Sequence, residues 1–205
     1  MALTSSRLSF LPRVREGRYL RRYRQYLLEE NVLTRSAPLL PHLERLPLLV
    51  QPIAGGEAVS LAEALKSSPK IRLVSAASTM RDLISRQLCL HWAQGKQISQ
   101  AFPVLYRLPI IQSTYLTPLT LLQREFRTLG FDHDELTIKR GLAAGLWLFL
   151  LEGWDELAPD QQSAWATWLQ TCADRYPALA AVVVTGPMEQ SWPAFEDWVV
   201  VPLTK

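Results

Sequence analysis

Cysteine is almost missing from this chain: Cys89 and Cys172 are the only two among 205 residues. No CxxC and no Cys/His spacing suits zinc or a redox pair, which argues against a disulfide scaffold and a thiol redox centre. Both cysteines fall in predicted helices and read as small core hydrophobes in a reducing compartment. Long apolar runs are missing too. The longest, GLAAGLWLFLL at 141–151, is far short of the ~20 residues that cross a bilayer, so no membrane crossing is expected. The N-terminus MALTSSRLSFLPRVR has no sustained apolar region and no small-residue cleavage site, which predicts a cytoplasmic chain without a secretory signal. No Gly-x-Ser-x-Gly elbow or Cys/His pair points to nucleophilic catalysis. His42, His91 and His133 lie in unrelated segments, so a metal site around His133 is a weak reading.

What is present suits one ordinary domain with a helical extension. The formal net charge of +3 hides an asymmetry. Residues 1–50 carry nine arginines against four glutamates, whereas in 141–205 only Arg175 and Lys205 oppose eight acids. The two ends of the chain attract each other, or the basic end serves an anionic partner. EGRYLRRYRQYLLEEN places Tyr19, Leu20, Tyr23, Tyr26 and Leu27 at helical spacing with arginines between them, a basic amphipathic helix. Arg21, Arg22 and Arg24 could hold phosphates of a nucleic acid or an anionic surface, or they could face water and the acidic third of the chain. In the next stretch Pro38, Pro41, Pro47 and Pro52 predict an irregular wrap. Residues 1–69 are therefore assigned to the helix and wrap, and 70–205 to an α/β domain.

From residue 70 short apolar strands alternate with amphipathic helices. Strands are predicted at IRLVSA (71–76), FPVLYRLPII (102–111), LWLFLLEG, LAAVVVTG (179–186) and WVVVPL, with helices at 80–95, around TPLTLLQREFRTLG and DHDELTIKRGLAAG, and at PDQQSAWATWLQTCADRY. Nearly continuous apolar strands separated by helices predict a three-layer α/β fold with a parallel sheet covered on both faces. The tryptophans of the C-terminal third read as core packing or as a stacking surface; Trp165 and Trp168 have ordinary core spacing.

FLLEGWDEL, 149–157, ends an apolar run in three carboxylates, Glu152, Asp155 and Glu156. Ligands of parallel sheets bind beyond the carboxyl ends of strands, where acids can hold Mg²⁺ or orient a water toward a phosphate. The plainer alternative is an acidic loop before the helix at Pro159. The segment resembles the Walker B stretch of the NACHT family, in the STAND class of P-loop NTPases, whose pattern is an apolar run followed by D-G-x-D-E. Glu152 stands where its first Asp would be, and Gly153, Asp155 and Glu156 match. IRLVSAASTMRDLISRQLCLHWAQGK is similar to the family's strand, Walker A loop and helix; AVVVTGP looks like its sensor strand. The resemblance implies a P-loop NTPase fold with an N-terminal helical extension over residues ~18–205.

The loop departs from the family pattern. A Walker A loop, G-x-x-x-x-G-K-S/T, closes backbone N–H groups around phosphates, with Lys on the β/γ charge and a hydroxyl on Mg²⁺. Ser75, Ala76, Ala77, Ser78, Thr79, Met80, Arg81 and Asp82 stand here instead. No glycine remains. Arg81 keeps a cation as a longer planar fork, and Asp82 puts an anion where a hydroxyl should meet the metal. Pro187 replaces the sensor Arg after Thr185 and Gly186. The resemblance, with these departures, implies a degenerate NACHT-like domain: a regulatory or scaffolding module in a signalling or defence assembly, without efficient ATP hydrolysis and with no cofactor expected. If the site still works, ATP or ADP would meet Ser75, Ser78, Thr79, Arg81, Asp82 and Thr185, Mg²⁺ would sit on Glu152 and Asp155, and Asp155 and Glu156 would be catalytic. Expected partners are proteins or further copies of the chain, with nucleic acid as the alternative at the basic helix. Without nucleotide, the strand-end acids are expected to pair with Arg81 or with that helix.

Overall fold

A computed structural model of the chain describes residues 21, 22, 25, 49–76, 81, 84, 85, 87, 88, 101–108, 117–128, 135–186 and 195–201. Its strands are β1 (Leu49–Pro52), β2 (Val59–Ser60), β3 (Lys70–Val74), β4 (Phe102–Arg107), β5 (Trp147–Glu152), β6 (Ala180–Thr185) and β7 (Glu196–Val200). The helices are α1 (Leu61–Ser67), α2 (Pro118–Thr128), α3 (Glu135–Ala143) and α4 (Pro159–Arg175). Arg81, Ile84, Ser85, Gln87 and Leu88 are also helical, as the periodicity after β3 predicts.

All seven strands join one sheet in the order β2-β1-β7-β3-β6-β5-β4. The run from β7 to β4 is parallel. Every residue of β5 and β6 is buried, which requires cover on both faces and explains why WLFLLE and AAVVVT carry no polar alternation. In α4 the residues Trp165, Trp168, Leu169, Cys172 and Ala173 repeat at helical spacing and are buried. Trp168 stacks on Phe149 of β5 at 6.5 Å, and Trp165 meets Trp168 edge-on at 5.0 Å. Trp147 and Trp154 are buried as well, so these four tryptophans belong to the core rather than to a stacking surface. Burial pushes the Cys172 thiol up to about 12, which suits an inert core cysteine.

The turn from α3 into β5 depends on a glycine. Leu146 N–H donates to Gly141 O (3.0 Å) and Gly145 N–H to Leu142 O (3.1 Å), the paired bonds that end a helix when the next residue is left-handed. Gly145 has φ +65°, and a Cβ there would stand 2.2 Å from Ala178 O.

One expectation changes. Where the prolines predict an irregular wrap, residues 49–52 and 59–60 form strands, and β1 adds antiparallel to β7. Pro52 ends the strand, where its missing N–H costs least, and Gly55 and Gly56 turn the chain with φ of 96° and 139°. Ser60 and Glu63 form a reciprocal cap on α1. The sheet is therefore mixed at this edge. Of the basic helix, Arg21, Arg22 and Gln25 are helical and exposed; Tyr19, Tyr23, Arg24 and Tyr26 lie outside the described residues.

Arg72, in the middle of β3, is 2% exposed, yet it is an arginine. Its register partner on β7 is Asp197. Nε donates to Oδ1 at 2.6 Å and Nη2 to Oδ2 at 2.5 Å, a two-pronged fit that compensates a buried guanidinium.

Candidate functional site

From β3 the chain travels past β6 and β5 to β4, whereas from β6 it travels past β3 to β7. The connections after these two adjacent strands diverge, so their carboxyl ends form the topological switch point at which open α/β sheets bind ligands. The strand that ends in acids, β5, lies next to β6 on the other side.

Backbone geometry builds the site first. Ser75 N–H donates to Thr185 O at 3.1 Å, extending the β3–β6 ladder one residue past β3. Thr185 is fully buried, with Oγ1 3.5 Å from Leu73 O. On β5, Glu152 is the last strand residue and is buried. Gly153 then takes φ +79°, a left-handed turn that side chains with a Cβ resist. A single 3₁₀ turn, Trp154–Glu156, follows. Trp154 is 1% exposed and anchors the turn in the core, while Gln162 Nε2 of α4 donates to its carbonyl at 3.1 Å. With that side chain fixed inward, Asp155 and Glu156 are exposed. The Gly-x-Asp-Glu spacing thus has a structural reason: a reversal, an anchor and two acids on the outside.

Arg81 closes the arrangement. Its Nη2 donates to Asp155 Oδ2 at 2.8 Å, and its Nη1 donates to Ser75 O at 2.8 Å and Ala76 O at 3.3 Å. A Cβ built on Gly186 would lie 3.7 Å from Nη1, so the guanidinium rests against the end of β6. One planar cation spans three neighbouring strand ends, and Arg can do this because its five donors form a rigid fork. The pairing expected between the strand-end acids and Arg81 forms, and Asp155 is the acid that forms it.

Of the residues singled out in the sequence, Ser75, Arg81, Glu152, Asp155, Glu156 and Thr185 gather at this end of the sheet. Ser78, Thr79, Met80 and Asp82 lie outside the described residues. Asp155, an expected metal ligand with Glu152, has one carboxylate oxygen on Arg81. Among the described residues no group of three or more His, Cys, Asp or Glu is placed to hold a metal. The sequence reading missed the carbonyls of Ser75 and Ala76 as acceptors, Gly186 as the resting place of the guanidinium and Trp154 as the anchor. Only Trp154 had a signal, a large aromatic between two acids.

A second polar feature lies away from this end. Glu125 on α2 is half-buried, and desolvation pushes its carboxyl up to about 7, with Arg124 pulling weakly the other way. No family model matches the chain, and no curated relative matches it either.

Proposed function

We propose that the chain is a degenerate P-loop domain of NACHT type that works as a regulatory or scaffolding interaction module, without efficient ATP hydrolysis. The observation that carries this reading is the Arg81 guanidinium, whose donors go to Asp155 and to the carbonyls of Ser75 and Ala76. A phosphate loop presents N–H groups and a free cation to the ligand, and leaves the strand-end carboxylate to the metal side. Here the cation at the lysine position and the acid at the metal position neutralise each other. Strand order supports the P-loop type: the candidate sensor strand β6 stands between the loop strand β3 and the acidic strand β5, which brings all three ends to one switch point. The NACHT assignment rests on the strand-end and helix motifs, and protein partners or further copies of the chain follow from it.

Thermal melting of the full chain with ATP or ADP, each with and without Mg²⁺, tests the reading. No rise in Tm is expected. A ligand present at 100 times its Kd would stabilise by ~2.7 kcal/mol, so a clear Mg²⁺-dependent rise would replace the scaffold with an ATP-binding switch. That second reading has one observation in its favour. Asp155 is 41% exposed and Arg81 14% exposed, so a polyanion can reach the pair and compete with Asp155 for the guanidinium. A role in nucleic-acid binding rests on exposed Arg21 and Arg22. It predicts affinity that falls steeply with salt and disappears when Arg21, Arg22 and Arg24 become Ala.

A further inference from the structure

The Arg81 guanidinium bonds two pieces of chain that are far apart in sequence and lies over the side-chain position of a third. Ser75 and Ala76 follow β3, Gly186 follows β6, and Asp155 sits on the turn after β5. β3 and β5 are not neighbours; β6 lies between them. The Arg81–Asp155 bond therefore reaches across a strand, and no ladder hydrogen bond links the two segments it joins. Size at position 186 makes the crossing possible. A methyl group there would be in ordinary contact with the guanidinium, 3.7 Å from Nη1 and 3.8 Å from Cζ, while a branched side chain would occupy the same space. Each hydrogen bond is individually modest, but they share one cation. Once Asp155 lets go, the fork that also holds the Ser75 and Ala76 carbonyls loses its fixed orientation, and this sharing makes a set of contacts non-additive.

We propose that Arg81 is a latch through which the segments after β3 and β5 open together, with Gly186 as the sill it rests on. The latch does not depend on whether the domain binds a nucleotide. Its consequence is a coupling: a partner that engages the turn at Asp155 loosens Ser75 and Ala76 after β3, and the reverse. Three ladder or turn amides report on it directly, Ser75 N–H on Thr185 O, Glu156 N–H on Gly153 O and Leu157 N–H on Trp154 O.

Hydrogen exchange on the full chain tests the coupling. In Asp155→Asn, the Ser75 amide is expected to exchange about three- to tenfold faster although its own partners are intact, and in Arg81→Met the Glu156 and Leu157 amides are expected to do the same. Gly186→Val, which keeps both charges but blocks the crossing, should accelerate all three. The ladder amides between β1 and β7 should be unchanged in every variant, which separates a local latch from general loss of stability. Acceleration confined to the mutated side would overturn the proposal, as would equal acceleration of the β1–β7 ladder.

Discussion

Two Arg–Asp pairs start from β3 and its following helix, and they differ in nearly every physical respect. Arg72 and Asp197 face each other on adjacent strands, in register, with two parallel bonds and side-chain exposures of 2% and 25%. Arg81 and Asp155 meet across an intervening strand through one bond, with exposures of 14% and 41%. The first pair takes a charge out of water inside the sheet, where removing one partner is costly. The second is open to water on its Asp155 side, where salt screens it, and is worth less as a pair. The same two residue types therefore serve different ends: the buried pair ties β7, and the β1–β2 edge it carries, to the centre of the sheet, and the second pair bridges the ends of β3 and β5 at the surface.

The largest expected effect breaks the buried side of this comparison. Asp197→Ala should cost about 3–5 kcal/mol in denaturant unfolding, because the Arg72 guanidinium loses its carboxylate in a low-dielectric place. Arg72→Met combined with Asp197→Leu should recover most of that loss, since an apolar pair needs no compensation. A double variant as unstable as Asp197→Ala would mean that the ion pair is favourable beyond its desolvation.

Glu125 sharpens the comparison as a half-buried acid with no ion pair among the described residues. Its folded pKa, about 7, lies above the ordinary value of 4.5. The folded state holds the proton more tightly, so its contribution is fully present below pH ~4.5 and is lost as pH rises toward ~7. Glu125→Gln should flatten that slope and raise stability above neutral pH by about 1–3 kcal/mol. Melting temperatures across this range check it, and a slope unaltered by the substitution would contradict it.

At the strand-end pair the effects are smaller. Gly153→Ala should cost about 1 kcal/mol, since φ +79° is left-handed. Arg81→Met should change global stability by about 1 kcal/mol or less. Raising salt should erase most of the difference between Arg81→Met and the parent, while the cost of Asp197→Ala should persist. Equal salt sensitivity of the two pairs would end the distinction.

The fold was legible where the signal is local. Repeated apolar positions in α4 and unbroken apolar runs in β5 and β6 foretold a covered parallel sheet, because periodicity reports which faces meet a core. The edge hairpin was not legible: four-residue β1 ends in proline and β2 is only two residues long, and both exist because β7 offers an edge to pair with. At the site, the acids after β5 and the cation after β3 stood out as charges beside apolar strands. Gly186 and the two carbonyls did not, since a backbone oxygen has no letter in the sequence.

What the sequence determined by itself is which segments of the central sheet and its covering helices, from residue 70 on, are strands and helices, and that positive charge follows β3 while negative charge follows β5. The partners were decided by the tertiary structure alone. Arg81 finds Asp155 at 74 residues' separation, and Arg72 finds Asp197 at 125. Periodicity is set by neighbours within a turn or a pleat, whereas an ion pair needs two charges brought within about 4 Å. That distance is fixed by the order in which the strands assemble, which brings β7 beside β3 and leaves a glycine-ended strand between Arg81 and its acid.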